Sequence, residues 1–279
     1  MHRVQIAAFI LTLIGLRASA GDFTLQTNMS YLSGDGHSAY ATKRCKLDLY
    51  LPKNKGKFTT LVWFHGGSIQ SGEKDGKIAK PVCERFAREG MAVVSANYRL
   101  HPKVTFPAYI EDCAASVAWT LENIGNFGGD PNKVFVSGHS AGGYLCAMVG
   151  MDPKYLGKHD RSPNDVAGYL PVAGQMITHS TVRKEQGIHR YRPLIDESAP
   201  SYFVCKDAPP FLILVGDDDL PARVEENQLF VAFMKANKNP HIEYHFGENR
   251  NHGTIASKLT EERDPGAKRM LAFIKKHSN

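Results

Sequence analysis

Residues 134–144 read Val-Phe-Val-Ser-Gly-His-Ser-Ala-Gly-Gly-Tyr. An apolar β-type run enters the pattern Gly-His-Ser-Ala-Gly, and a helix-like run over residues 144–149 leaves it. A serine in so tight a turn takes a strained backbone conformation, so it needs glycines two residues before and two residues after it. The turn would hold the Ser140 hydroxyl clear of the sheet, beside a helix N-terminus that favours negative charge. The stretch therefore predicts a nucleophilic serine between a strand and a helix.

Around this motif the chain alternates short β-rich runs with amphipathic helical patterns, which indicates an α/β fold. Most of the β-rich runs are nearly continuous in apolar residues, as in strands buried on both faces of a mostly parallel central sheet. The predicted strands span residues 46–50, 60–64, 92–97, 134–137, 168–172, 211–215 and 241–246. The predicted helices span about residues 78–87, 110–124, 223–236 and 267–276, and they would cover both faces of the sheet.

The composition is that of an ordered globular protein. The chain has 279 residues, 42% of them hydrophobic, and a net charge of +6. Because Lys and Arg never run longer than two in a row, nucleic-acid binding is not expected. We expect a single domain over residues 21–279, in which the irregular segment 152–207 forms loops that shape a pocket over the sheet edge.

The first 20 residues have the pattern of a signal peptide. A basic start (residues 1–3) precedes an apolar run (residues 4–16), and Ala18-Ser19-Ala20 is the small-x-small pattern that signal peptidase cuts. The apolar run is shorter than the about 20 residues that a helix needs to span a bilayer. We therefore expect cleavage after Ala20 and a secreted or periplasmic protein without a stable membrane anchor.

The cysteines do not indicate a metal site. Cys45, Cys83, Cys113, Cys146 and Cys205 form no Cys-x-x-Cys pair and lie near no histidine at zinc spacing, so neither a metal nor a cofactor is expected. Three of them lie on apolar faces of predicted helices, where buried free thiols are common. The sequence leaves disulfide pairing open.

A serine nucleophile needs a base, and the base needs a third group to orient it. The apolar strand over residues 211–215 leads into Gly216-Asp217-Asp218-Asp219, and any of the three aspartates could be that group. We prefer Asp219, because the turn can swing its carboxylate back toward the sheet. The other two aspartates fit a solvated acidic turn that caps the following helix.

The base is expected after the last strand. His252 lies in the polar loop 247–253, and the order serine, aspartate, histidine places each residue at the carboxyl end of a strand, where α/β sheets carry their sites. The competing histidines, His101, His179 and His189, all precede the acid. A generic surface-loop histidine is the alternative interpretation of His252.

Negative charge that grows on an attacked carbonyl oxygen needs preorganised N–H donors. The segment Trp63-Phe64-His65-Gly66-Gly67-Ser68 follows the predicted strand 60–64, and its two glycines let the backbone turn its amides toward a ligand. The N–H of Gly66 or Gly67, together with that of Ala141, is predicted to form an oxyanion hole.

Taken together, these motifs resemble the α/β-hydrolase superfamily over about residues 45–276. The closest resemblance is to the esterase/lipase branch that contains acetyl esterases, feruloyl and acetyl xylan esterases and kynurenine formamidases. The segments that carry it are His65-Gly66-Gly67, Asn97-Tyr98-Arg99-Leu100, Gly129-Asp130-Pro131, the motif around Ser140, and Pro209-Pro210-Phe211-Leu212. The resemblance implies catalytic roles for Ser140, Asp219 and His252 and oxyanion donors at Gly66, Gly67 and Ala141. It also strengthens the choice of Asp219, because relatives place the acid three residues after the glycine that ends this strand.

Two segments depart from the family pattern. Ser68-Ile69 stands where many relatives have a third glycine and a tryptophan, which changes the acyl side of the pocket, and His101-Pro102 stands where they often have Ala-Pro-Glu.

We expect an exported serine esterase that hydrolyses carboxylic esters through an acyl-enzyme, with short acyl groups such as acetyl, or feruloyl groups, on a small molecule or a polysaccharide. An arylformamidase-type amide hydrolase is the alternative enzyme, disfavoured by the signal peptide because its metabolite is intracellular. A dipeptidyl-type peptidase would share the triad but usually carries a further domain. A non-catalytic binding member of the fold is the alternative from another class.

The predicted signal peptide gives a direct test. The protein recovered from an exporting host should begin at Gly21, because the bond after Ala20 is the one that fits signal peptidase. Intact-mass measurement of the purified protein would check this. A chain that still begins at Met1 in the exported fraction would contradict the prediction.

Overall fold

The computed structural model describes residues 23–53 and 56–278, so the predicted signal peptide lies outside the described residues. Within them, eight strands form one sheet in the order β1-β2-β4-β3-β5-β6-β7-β8. The strands are Phe23–Ser30 (β1), Lys46–Pro52 (β2), Phe58–Phe64 (β3), Ala92–Ala96 (β4), Gly129–His139 (β5), Gly168–Val172 (β6), Phe211–Asp218 (β7) and Ile242–Asn251 (β8). The β1–β2 and β2–β4 pairs are antiparallel and the remaining pairs are parallel, which confirms the predicted mostly parallel sheet.

Helices lie on both faces of this sheet, as predicted. They are Ala39–Arg44 (α1), Ala79–Arg88 (α2), Ala108–Asn123 (α3), Ala141–Met151 (α4), Pro153–Gly157 (α5), Ser180–Glu185 (α6), Arg223–Ala236 (α7), Thr254–Ser257 (α8) and Pro265–His277 (α9). The apolar residues of α3, α4 and α7 pack on one face, and those of α2 and α9 pack on the other. The short helices α1, α5, α6 and α8 were not predicted, because a few residues carry too little apolar periodicity to be recognised.

The core follows from the alternation of side chains along the strands. In β3, Leu61 and Trp63 pack against α2 and its neighbours, whereas Val62 and Phe64 pack into the cluster on the opposite face, and all four are fully buried. A strand buried on both sides cannot shift its register by one residue without exchanging its two faces. The central strands therefore fix where their carboxyl ends lie.

The strands differ from the prediction at the sheet edges. β1 was not predicted, because most of its side chains are exposed and it is attached through backbone pairing with β2. β5 begins at Gly129, five residues earlier than predicted, since its polar start pairs with Phe58. β8 continues to Asn251, so most of the loop predicted over residues 247–253 is strand.

The segment 152–207 contributes to the core as well as to loops. Its strand β6 pairs with both β5 and β7, as the predicted strand 168–172 requires. The residues after β6 include α6, in which the Thr181 hydroxyl donates to the Ser68 carbonyl at 2.6 Å.

The described residues include all five cysteines. Their thiols are free, four of them buried and that of Cys205 exposed. Over the ranges 23–53 and 56–278, no helix is both long enough and apolar enough to cross a membrane.

Candidate active site

Ser140 lies between β5 and α4 in the strained turn that the sequence predicts. Its φ is 58° and its ψ is −116°, a conformation that a non-glycine residue rarely takes. A Cβ at Gly138 would lie 2.6 Å from the backbone of Gly142, and a Cβ at Gly142 would lie 2.1 Å from the carbonyl oxygen of Phe64. Both positions must therefore be glycine for β5 to turn into α4 against β3.

The structure brings Ser140, His252 and Asp219 together from three strand ends. His252 Nε2 lies 2.8 Å from Ser140 Oγ, and His252 Nδ1 lies 2.6 Å from Asp219 Oδ1. Because a carboxylate can only accept, Nδ1 carries the proton and Nε2 is free to accept from the serine hydroxyl. The Asp219 carboxylate is fully buried, while the side chain of His252 is 21% exposed. The arrangement can activate the serine hydroxyl as a nucleophile.

Asp217 has a role that the sequence did not indicate. Its carboxylate accepts the backbone N–H groups of Asn249, at 2.8 Å, and of Arg250, at 2.9 Å, and these hydrogen bonds lower its pKa. The helix α7 instead begins after Ala222, without a side-chain cap. The interpretation of the acidic turn as a cap for α7 is therefore wrong: Asp217 ties β7 to the end of β8, just before His252.

The competing histidines have other partners. His101 Nδ1 lies 3.0 Å from Glu185 Oε1. His179 accepts the Thr181 N–H at 3.1 Å, and burial lowers its pKa well below the usual value. His189 is exposed and lies beside an aromatic ring.

The glycine loop after β3 lies directly against Ser140. A Cβ at Gly66 would lie 3.2 Å from the Ser140 Cβ, and Gly66 and Gly67 both line the cavity in front of Ser140. Gly67 has a φ of 113°, and its missing Cβ would lie 2.2 Å from the carbonyl oxygen of Ser71. Ala141 is the first residue of α4, so its N–H is one of the donors that a helix leaves free at its start. The predicted oxyanion donors are thus gathered beside Ser140.

His139 is a site residue that the sequence analysis missed. Its Nε2 donates to the backbone carbonyl of His252 at 2.7 Å, and the two rings lie 4.9 Å apart. Burial lowers its pKa to about 4, so the ring is neutral at physiological pH. His139 therefore fixes the backbone of the residue that contacts Ser140. The only sequence signal was its place beside the serine in the motif.

A cavity of about 860 Å³ opens in front of Ser140. Part of its wall is apolar and part is charged. The apolar residues include Ile78, Ile177, Tyr191, Leu220 and Leu229, and the charged ones include Arg183, Arg190, Arg223, Glu225 and Glu226. In the part of the chain that the structure describes, no cluster of three or more His, Cys, Asp or Glu side chains is placed to hold a metal ion.

Two protein-family models match the chain. The model named BD-FAE matches residues 47–167, and that of the prolyl oligopeptidase family matches residues 108–279. The second match covers more than half of the chain and includes Ser140, Asp219 and His252.

Several curated relatives are named esterases. The esterase LipC of Mycobacterium tuberculosis is 27% identical over 207 residues, which are 66% of this chain and 48% of LipC. The carboxylesterase NlhH of the same species is 31% identical over 159 residues, 57% of this chain and 42% of NlhH. The chain spans about half the length of the curated relatives it matches.

Two solved structures with the same fold carry the name esterase. A truncated form of a carbohydrate esterase from gut microbiota has a TM-score of 0.74 and 19% identity, over 94% of this chain and 99% of that one. Thermogutta terrifontis esterase 2 has a TM-score of 0.69 and 22% identity, over 92% of this chain and 94% of that one. At these identities the likeness shows the fold.

The buried histidines make stability depend on pH. Burial lowers the pKa of both His65 and His139 from 6.5 to about 4. Below pH 6.5 these two histidines therefore bind protons in the unfolded chain, whereas in the folded chain they stay neutral down to about pH 4. Stability should fall as the pH decreases through this window, by about 1.4 kcal/mol per pH unit for each histidine.

His139→Gln tests the predicted pH dependence of stability. The Gln amide can still donate to the His252 carbonyl, but it does not titrate. Urea unfolding at pH 6.5, 5.5 and 4.5 should give a shallower loss of stability in this variant than in the wild type. The exposed His37→Gln is the control and should keep the wild-type slope. Equal slopes for His139→Gln and the wild type would contradict a contribution of His139 to the pH dependence of stability.

Proposed function

Since the chain belongs to the α/β-hydrolase esterase/lipase superfamily and, through residues 108–279, to the prolyl oligopeptidase family, we propose that it is a serine esterase that hydrolyses carboxylic esters. The observation that carries the proposal is the hydrogen-bonded series from Asp219 through His252 to Ser140, which faces the glycine loop across an open cavity. The esterase names of the curated relatives support the choice of an ester substrate.

In the first half of the proposed reaction, Ser140 Oγ attacks the ester carbonyl carbon while His252 Nε2 takes its proton. The Asp219 carboxylate stabilises the imidazolium that forms and keeps the ring oriented. The carbonyl oxygen becomes an oxyanion and accepts hydrogen bonds from the N–H groups of Gly66 or Gly67 and Ala141. Loss of one such donor typically raises a barrier by about 2.7–4 kcal/mol.

The tetrahedral intermediate then breaks its bond to the alcohol oxygen, and His252 gives its proton to the leaving alcohol. This leaves the acyl group as an ester on Ser140. A water molecule attacks that ester and gives a proton to His252, and a second tetrahedral intermediate forms. Its bond to Ser140 breaks, the proton returns to Oγ, and the carboxylic acid leaves.

The proposed substrate is an ester with a hydroxylated alcohol part, such as an acetyl or feruloyl ester of a polysaccharide. A cavity of about 860 Å³ with both apolar and charged walls accommodates an acyl group together with a polar alcohol. The structure called a carbohydrate esterase is in line with this choice. Export, which rests on residues 1–20, would place the enzyme where such polymers occur.

Hydrolysis of a peptide amide is a second candidate, favoured by the prolyl oligopeptidase match. Ester and amide hydrolysis use the same triad, and they differ in the group that His252 protonates as it leaves. Hydrolysis of a formamide, as in an arylformamidase, is a third possibility that rests on the family resemblance.

Parallel assays separate these candidates. We expect the wild type to hydrolyse 4-nitrophenyl acetate and to release acetate from acetylated xylan or ferulate from a feruloylated polymer. Release of formate from N-formylkynurenine alone would indicate the formamidase, and cleavage of a prolyl 4-nitroanilide alone would indicate the peptidase. Ser140→Ala should lower kcat by on the order of 10⁵.

Ser71→Ala is the matched control, because Ser71 lies in the glycine loop but its hydroxyl donates only a 3.3 Å hydrogen bond to Gly67 O. It should stay within about tenfold of the wild type, as expected for a serine outside the triad. If the wild type hydrolyses none of these substrates and takes up no serine-reactive phosphonate, the protein is a binding member of the fold.

The two neighbouring aspartates should respond differently to loss of charge. Asp219→Asn should lower kcat by about 10⁴, because the amide presents His252 in the wrong tautomer. Asp217→Asn should lower kcat by less than about tenfold, since the amide oxygen can still accept one backbone N–H of the β8 end. Both variants would be assayed with 4-nitrophenyl acetate at saturating concentration. The reverse order of effects would assign the acid to Asp217.

A further inference from the structure

Arg44 is the last residue of α1, and its buried guanidinium contacts the glycine loop that follows β3. It is 8% exposed. Its Nη2 donates to the carbonyl oxygen of Gly72 at 2.6 Å and lies 3.1 Å from His65 Nε2, and its Nε donates to the Tyr98 carbonyl at 2.9 Å. Its Nη1 pairs with Glu73 at 2.6 Å. The guanidinium thus connects both ends of the loop that carries Gly66 and Gly67.

The contact between Arg44 and His65 decides which nitrogen of the imidazole carries the proton. A guanidinium is always protonated and can only donate, so His65 Nε2 must accept. Burial, together with the nearby Arg44 charge, lowers the pKa of His65 to about 4, so the ring is neutral. A neutral ring that accepts at Nε2 carries its hydrogen on Nδ1. That Nδ1 lies 2.7 Å from the carbonyl oxygen of Gly66 and therefore donates to it.

This hydrogen bond sets the orientation of a peptide group at the site. The Gly66–Gly67 peptide is planar, so its carbonyl and its N–H point in opposite directions. With the Gly66 carbonyl held toward His65, the Gly67 N–H points to the other side of the loop. Gly72 packs against the same bond, since a Cβ there would lie 2.4 Å from both Gly66 O and His65 Nδ1. Tyr98 stacks on the His65 ring at 4.3 Å and restricts its rotation.

We propose that Arg44 is a positioning residue for the oxyanion hole: it selects the Nδ1–H tautomer of His65, which holds the Gly66–Gly67 peptide with the Gly67 N–H available to the oxyanion. This inference rests on the proposed esterase function for its kinetic consequence. The tautomer itself is a property of the folded protein and does not depend on the substrate.

The tautomer is measured directly by ¹⁵N NMR of histidine-labelled protein. In the wild type at pH 7, His65 should give the shifts of a neutral ring protonated at Nδ1, assigned by their loss in His65→Asn. In Arg44→Met the ring should populate the Nε2–H form. A wild-type ring protonated at Nε2, or a ring unchanged by Arg44→Met, would overturn the proposal even if the protein proves not to be an esterase.

Kinetics test the consequence for the oxyanion. Arg44→Met should lower kcat for 4-nitrophenyl acetate by about 10- to 100-fold, less than the 10²- to 10³-fold typical of complete loss of one donor. KM should change by less than about threefold, because the hydrogen bond strengthens only in the transition state. The affinity for a trifluoromethyl ketone, whose adduct with Ser140 carries an oxyanion, should fall by the same factor as kcat/KM. Arg44→Lys should behave like Arg44→Met, since one ammonium cannot replace the guanidinium fork.

Lys74→Met is the matched control for loss of a buried cation. Lys74 lies two residues after Gly72, and its Nζ pairs with Asp48 at 2.8 Å. It should lower the thermal midpoint while kcat stays within about threefold of the wild type, because no oxyanion donor is displaced.

A second parent protein, His65→Asn, separates an effect of Arg44 on the orientation of the Gly66–Gly67 peptide from an effect on stability. In His65→Asn, the side-chain amide can donate to the Gly66 carbonyl without any choice of tautomer, so adding Arg44→Met should change kcat by less than about threefold. An equal loss of kcat in both backgrounds would show that Arg44 acts through stability alone. If the wild type is an active esterase and Arg44→Met keeps its kcat, this inference fails while the proposed function stands.

Discussion

The rest of the structure depends on the close contact between the start of α4 and the end of β3. Gly142 packs so tightly on the Phe64 carbonyl that a single methyl group would lie 2.1 Å from it. This contact forces Ser140 into its strained conformation and places the glycine loop, which follows β3, against the serine. Because β3 and the carboxyl end of β5 are buried on both faces, neither strand can shift to relieve the strain at Ser140. Ser140 and the proposed oxyanion donors are therefore positioned by one backbone contact.

Two buried histidines connect this contact to the rest of the site. His139 holds the backbone of His252, and His65 holds the Gly66 carbonyl, each through one ring nitrogen. Burial keeps both rings neutral. A protonated ring at His139 would add a positive charge beside His252, the proposed base. Neutral imidazoles thus supply directed hydrogen bonds without competing with His252 for protons.

The sequence predicted the sheet and the residues of the site better than their supporting contacts. Ser140, Asp219 and His252 could be predicted because each follows a β-rich run, and parallel strands bring their carboxyl ends to one edge. Arg44 and Asp217 could not, because their partners lie 21 and 32 residues away or more, and only the folded backbone determines which donor meets which acceptor. β1 was missed because an exposed edge strand shows no apolar pattern.

The proposed catalytic residues and part of the cavity wall come from different kinds of structure. Ser140, Asp219 and His252 follow strands of the sheet, whereas Arg183 and Tyr191 belong to the segment between β6 and β7. Arg183 is itself fixed by the carbonyls of Arg190, at 2.6 Å, and Arg192, at 3.1 Å, so this wall is preformed. A change in that segment alters what the cavity admits without moving a strand end. In the proposed enzyme, substrate choice can therefore change while the chemistry at Ser140 is preserved.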